Sequence, residues 1–172
     1  MSDILLRAMA AADWPQVKSI YQEGIDTGNA TFESTPPTWQ QFDAGKLLIA
    51  RLVAIDRTGS VVGWIAASAV SAREAYRGVI EHSVYVATTA SGKGVGAQLL
   101  LAFINAAEDA GIWTIQSSIF PENAASIALH QHAGFRTIGH RESVALMTYG
   151  PWAGQWRDTI LVERRAALST QR

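Results

Sequence analysis

A strand, a glycine loop and a helix start follow one another between Glu81 and Ala97, and this order restricts the chain more than any other feature. Glu81-His82-Ser83-Val84-Tyr85-Val86 is apolar-rich and alternating, a strand pattern that carries one carboxylate. Gly92-Lys93-Gly94-Val95-Gly96-Ala97 then opens a long apolar stretch with helical spacing. Such a turn lets backbone N–H groups converge on an anion at a helix N-terminus, where the dipole adds favourable potential. Further on, Asn123, Ser126 and His130 recur at i, i+3 and i+7, so they form one polar stripe on a second helix. A phosphate trap beside a carboxylate and a histidine predicts an enzyme that holds a phosphorylated cofactor while a proton moves.

The spacing of the glycines separates three kinds of phosphate loop. A Walker A loop places Ser or Thr after its lysine as a magnesium ligand. Here Gly94 follows Lys93. A dinucleotide fingerprint is met loosely by Gly92, Gly94 and Ala97, and should lead to an acid roughly 20 residues on. That region reads Ile112-Trp113-Thr114-Ile115-Gln116, without a carboxylate. The core Gly94-Val95-Gly96-Ala97 fits the acetyl-CoA pyrophosphate loop of the GCN5-related N-acetyltransferases (GNAT), with Ser91 where Arg or Gln is usual.

From about Ile4 to Arg165 the chain resembles this superfamily, most closely its phosphinothricin and methionine sulfoximine acetyltransferase branch. The resemblance rests on Ala30-Thr31-Phe32-Glu33, on Tyr76-Arg77-Gly78 leading into the Glu81 strand, and on the loop Gly92 to Ala97. It continues in Asn123 to His130, Ala133-Gly134-Phe135 and Gln155-Trp156-Arg157-Asp158. It implies acetyl-CoA as co-substrate, bound by the backbone of Val84-Tyr85-Val86 as if an added strand. It also implies Gly92 to Ala97 at the pyrophosphate, with Lys93 as an added charge, and Asn123 and Ser126 near the pantetheine or acetyl end. Ser91 removes one expected anchor, which predicts a raised Michaelis constant for acetyl-CoA.

Acetyl transfer needs a neutral amine, whereas an α-amino group with a pKa of about 8 is mostly protonated at pH 7. Glu81 is the candidate base, sharing a strand face with Ser83 and Tyr85. By resemblance His130 stands where many members carry a tyrosine that protonates the departing thiolate. A histidine there can donate a proton or a hydrogen bond. His82, His132 and His140 read as ordinary structural or solvated histidines. His130 and His132, at i and i+2, point to different sides of a helix, so no metal site is expected. The branch acts on zwitterionic amino-acid analogues, which implies a cation for the acceptor's carboxylate. Arg73 is the candidate, with Arg77 competing, and Phe32 and Tyr76 are expected to wall the acceptor pocket. Alternatives are an acetyltransferase of peptide amines or another small amine, and a non-catalytic acyl-CoA-binding module.

The chain has 172 residues, 48% of them hydrophobic and 17% charged, which predicts one domain over residues 1–166 with a frayed tail over 167–172. A net charge of −1 argues against a nucleic-acid partner. No apolar run reaches the roughly 18 residues that span a bilayer. Met1-Ser2-Asp3 lacks the regions of a secretory signal, so a cytoplasmic protein is expected. The absence of cysteine excludes a cysteinyl acyl-enzyme and makes direct transfer the simpler expectation. Resemblance further implies a homodimer.

Periodicity predicts strands at Ile4–Met9, Leu52–Asp56, Val61–Ala67, Val79–Val86, Trp113–Ile119, Phe135–His140 and Thr159–Arg164. Helices are expected over Asp13–Glu23, from a Thr38 cap to Leu48, over Gly94–Ala110 and over Ala124–His132. The segment Arg141–Gly154 matches no pattern. The expected fold is α/β (α+β): a central mixed, mostly antiparallel twisted sheet flanked by helices, as in the superfamily.

Overall fold

The computed structural model describes residues 4–167. Met1-Ser2-Asp3 and residues 168–172, most of the expected tail, lie outside the described residues. Seven strands form one sheet: β1 (Leu5–Ala8), β2 (Leu52–Ile55), β3 (Val61–Ala69), β4 (Val79–Val86), β5 (Thr114–Ile119), β6 (Arg136–Leu146) and β7 (Trp156–Arg165). Their order is β1-β2-β3-β4-β5-β7-β6. Every pairing is antiparallel except β4 with β5. The helices are α1 (Trp14–Asp26), α2 (Trp39–Gly45), α3 (Val95–Asp109) and α4 (Ala124–His132). This is the mixed, mostly antiparallel sheet that the sequence predicts. No helix among the described residues is long and apolar enough to cross a membrane.

Local chemistry accounts for most element ends. Pro15 opens α1, where its missing N–H costs nothing. Thr38 and Gln41 form a reciprocal capping box at α2. The β2–β3 turn is held by Asp56 Oδ1, which accepts from the backbone N–H groups of Thr58 and Ser60. Gly111 and Gly134 follow α3 and α4 at φ 86° and 85°, in the left-handed region where glycine is least strained.

Core side chains lie on both faces of the sheet. On one face Trp14 and Phe42 pack together, and Tyr21, Phe42 and Tyr85 surround the fully buried Trp64. On the other, Val95 and Leu99 of α3 press on the backbone of Gly63, where an added Cβ would meet Leu99 at 3.0 Å. Large side chains thus fill one face at the position where the other leaves room for a helix.

Among the boundaries that differ from the sequence reading, three have a clear local cause. α2 stops at Gly45 rather than Leu48, because Lys46 is extended and Leu47 N donates to Ala67 O at 2.8 Å. β6 runs six residues beyond His140, to Leu146, through register shifts at Thr137/Gly139 and Arg141/Ala145. Ser143 takes φ 48° within the second shift. These bulges break the period of two on which strand recognition rests. β7 accordingly begins at Trp156, paired with Leu146.

Candidate active site

The parallel pairing of β4 with β5 covers only Val79/Thr114, Ile80/Ile115 and Glu81/Gln116. β4 continues to Val86 with β3 as its partner, and β5 continues to Ile119 with β7. The two strands therefore part beyond Glu81. A cavity of about 400 Å³ opens where they separate, lined by Glu81 to Val86 on one side and Ser117 to Phe120 on the other. Because consecutive residues of β4 line it, the opening lies in the plane of the sheet and both faces contribute side chains.

Glu81, Ser83 and Tyr85 share the face of Trp64, since their cross-strand partners are Ser68, Ala66 and Trp64. Tyr85 stacks on Trp64 at 4.7 Å with 13° between the planes, and burial pushes its hydroxyl pKa up. Glu81 Oε2 accepts a hydrogen bond from Gln116 Nε2 at 2.7 Å, which fixes the carboxylate across the last paired position. Lys46 also reaches this face. Burial lowers its pKa, and the negative charges of Glu81 and Glu33 oppose that shift.

His82 points to the opposite face, and there it meets His130. Their Nε2 atoms lie 3.0 Å apart, packed against Phe135, with Phe103 beside His82. His130 Nδ1 is 2.7 Å from Ser126 O, and His82 Nδ1 is 3.2 Å from Gln116 O. Carbonyl oxygens only accept, so these three contacts call for three ring N–H groups, and two neutral imidazoles have two. One of the three contacts is therefore left without a proton while the pair is neutral. Burial lowers the His82 pKa to about 3, helped by His130, and lowers that of His130 as well. His82 is thus more than the ordinary core histidine of the sequence reading: it is the partner of His130. Both belong to a family of positions that alternate on β4 and recur on α4, but no local pattern announces their meeting.

The cofactor end is built from main chain. Val84, Tyr85 and Val86 line the cavity along the unpaired side of β4. Gly92 and Gly94 take φ 73° and 78°, with no atom other than a weak 4.0 Å contact near an added Cβ. Gly94 is the N-cap of α3 without a side-chain cap, and Gln98 N is the first amide to donate back, to Gly94 O. The amides of Val95, Gly96 and Ala97 precede it and have no intrahelical acceptor. Gly96 faces Leu129 of α4, 3.4 Å from where a Cβ would lie, which is an ordinary contact distance. An extended arm with an anionic group at one end fits this layout. Thr159, another lining residue, has its Oγ1 buried without a hydrogen-bond partner. Lys93 faces a separate cavity of about 570 Å³. Ser126 lines the main cavity, and so does Asn123, whose side chain is already committed. Its Oδ1 caps Ser126 N at 3.1 Å and its Nδ2 donates to Asn29 O at 3.2 Å.

Of the three acceptor-pocket expectations, only Phe32 lines the cavity, edge-on to Phe120 at 4.9 Å. Arg73 and Tyr76 are not brought into its walls. They lie at the start and end of an exposed 3-10 turn in the β3–β4 connection, which turns its side chains to solvent. Arg77 pairs with Glu74 at 3.4 Å and covers Trp113. The segment without a sequence reading, Arg141–Gly154, and the Gln155–Asp158 motif that follows it support the site instead. Tyr149 Oη donates to Thr31 O at 2.7 Å. Arg157, 2% exposed, donates to Gly28 O, Asn29 Oδ1 and Glu122 Oε2 between the rings of Phe120 and Trp152.

Comparison with known proteins gives a consistent picture. The model of the acetyltransferase (GNAT) family matches residues 14–135. The chain is 34% identical over 163 residues to an L-methionine sulfoximine/L-methionine sulfone acetyltransferase of Pseudomonas paraeruginosa, covering 92% of each chain. It is 36% identical over 165 residues to a phosphinothricin N-acetyltransferase of Alcaligenes faecalis, covering 92% of this chain and 81% of that one. A crystal structure of a GNAT superfamily phosphinothricin acetyltransferase from Sinorhizobium meliloti in complex with AcCoA superposes with a TM-score of 0.82. That match has 32% identity and covers 95% of this chain and 88% of the other.

Proposed function

Since the chain belongs to the acetyltransferase (GNAT) family, we propose that it moves the acetyl group of acetyl-CoA directly to the α-amine of a small amino-acid analogue. Methionine sulfoximine, methionine sulfone and phosphinothricin, named in its relatives, are the acceptors of choice. One observation carries this reading: Glu81 and the His82–His130 pair line one cavity from opposite faces, at the split between β4 and β5.

Acetyl-CoA supplies an acetyl group activated as a thioester. The amides and carbonyls of Val84-Tyr85-Val86 hold the pantetheine arm along the open edge of β4, and the amides of Gly92 to Ala97 take the pyrophosphate, with Lys93 adding charge. Ser126 borders the acetyl end. Asn123 acts there through its backbone and through the position it gives α4, since its side chain is in use. Phe32 walls the acceptor's side chain.

The acceptor nitrogen sheds two protons in the reaction. Glu81 accepts the first, freeing the lone pair, while Gln116 keeps the carboxylate aimed. The second leaves the nitrogen as the new amide forms, and the departing sulfur needs one. His130 is the group to pass it. Burial keeps the histidine pair neutral near pH 7, so the proton is taken up within the turnover rather than stored beforehand. The reading extends to a cytoplasmic homodimer. Leu146 and Trp156, cross-strand partners with large exposed apolar surfaces, support a second copy on that side.

A turnover screen with acetyl-CoA tests the reaction across free amino acids, the three analogues and short peptides. The expected product is the N-acetylated analogue. Activity confined to peptides would transfer the assignment to peptide amines. CoA binding without any turnover would leave a binding module.

A further inference from the structure

Lys46 stands at the exit of α2, outside every motif read from the sequence, yet the fold fixes it beside the site. Its two neighbours are both tied to β3: Gly45 O accepts from Ser68 Oγ at 2.8 Å, and Leu47 N donates to Ala67 O at 2.8 Å. Ser68 is in turn the cross-strand partner of Glu81, so both side chains stand on one face of the sheet. The backbone of Lys46 is thus clamped one strand away from the proposed base.

Lys46 lines a third cavity, of about 500 Å³, walled also by Tyr21, Glu33, Gln41, Phe42 and Ser68. Tyr21 and Glu33 wall the main cavity as well, so the two compartments adjoin. Lys46 is half-buried, and among the described residues its ammonium forms no salt bridge. A desolvated cation without a close counter-ion is costly, and an anionic ligand group relieves that cost. Glu81 and Glu33 act on it through their fields only, which leaves its hydrogen-bond donors for a guest.

We propose that Lys46 is the cation that holds the carboxylate of the acceptor, in the compartment next to the one where the acceptor's amine meets Glu81. The inference rests on the zwitterionic acceptor argued above. A zwitterion matches the layout charge for charge, its ammonium toward the carboxylates and its carboxylate toward the ammonium. Arg73, on its exposed turn, has no such enclosure.

Methionine sulfone and its methyl ester form the test pair, the ester lacking the anion. Their kcat/KM ratio is measured for the wild type, Lys46→Met, Lys46→Arg and Arg73→Ala, with Tm as a check on folding. The wild type should favour the free acid at least tenfold. Lys46→Met should bring the ratio near one through the KM of the acid, and Lys46→Arg should keep most of the preference. A ratio unchanged in Lys46→Met overturns the proposal, and loss of preference in Arg73→Ala alone hands the role to Arg73. If Lys46→Met fails to fold, Lys46→Gln takes its place, and a preference kept there is equally fatal. Wild-type enzyme inactive on both compounds removes the acceptor reading itself, and Lys46 with it; that outcome is read before any variant is compared.

Discussion

At the scale of single residues, the buried histidine pair is the most consequential arrangement. The pKa of His82 falls from an ordinary value of about 6.5 to about 3 on folding, so the unfolded chain binds more protons between these values. Stability is therefore fully present above pH 6.5 and is lost as pH falls toward 3. Chemical denaturation at pH 7, 6 and 5 should show a progressive loss, and His82→Phe, which fills the space without titrating, should flatten it. An equal slope in both proteins would show that the pair does not titrate in this way. Catalysis separates the two walls of the cavity. Glu81→Gln should keep the fold and lower turnover at neutral pH at least tenfold. His130→Ala should lower kcat, and an unchanged kcat at every pH would remove His130 from proton transfer. Glu81 was legible from the sequence because strand alternation and family resemblance both single it out. The partner roles of His82 and Gln116 were not, because each depends on which residue a neighbouring element brings opposite it. Lys46 escaped for the same reason.

At the scale of elements, the strand, glycine loop and helix from Val79 to Asp109 were readable to within a residue or two, since each has its own period and a glycine N-cap. The last hairpin was not. Its two bulges and the positive φ of Ser143 erase the alternation, and its purpose lies in contacts made far along the chain. Arg157 joins the turn after α1, the loop after β5 and β7 through hydrogen bonds to Gly28, Asn29 and Glu122. Arg157→Leu keeps much of the packing between Phe120 and Trp152 but leaves those acceptors without their donor. A loss on the order of 2 kcal/mol is expected, read as a lower denaturation midpoint. Tyr149→Phe removes one neutral hydrogen bond to Thr31 and should cost about 1 kcal/mol. Both should raise the acceptor KM, because the 28–33 loop carries Phe32. Variants that lose stability without any change in KM would reduce the hairpin to a scaffold.

At the scale of the whole molecule, the mixed, mostly antiparallel sheet flanked by helices follows from the sequence pattern and the superfamily resemblance together, whereas the strand order comes from the structure alone. What the pattern could not supply is how far the parallel pairing extends, since that depends on which neighbour β5 prefers. A ligand that binds only the folded chain stabilises it by about 2.7 kcal/mol at one hundred times its dissociation constant. Coenzyme A should therefore raise Tm in a concentration-dependent way. No shift and no calorimetric binding at millimolar concentrations would overturn the cofactor assignment.

The short junction between β4 and β5 also has a mechanical consequence. Three residue pairs join a β1–β4 half-sheet to a β5–β7–β6 half-sheet along the strands, and past Gln116 nothing in the ladder bridges them. On the proposed reading, the pantetheine arm would fill this seam and join the two half-sheets. Amide hydrogen exchange should report this directly: with coenzyme A present, protection should rise at residues 84–86 and also in β6, which reaches the seam only through β7. A gain confined to the contact residues would mean that the halves were already rigid. A gain spreading across the second half-sheet would mean that the chain completes its own architecture only while it holds its co-substrate.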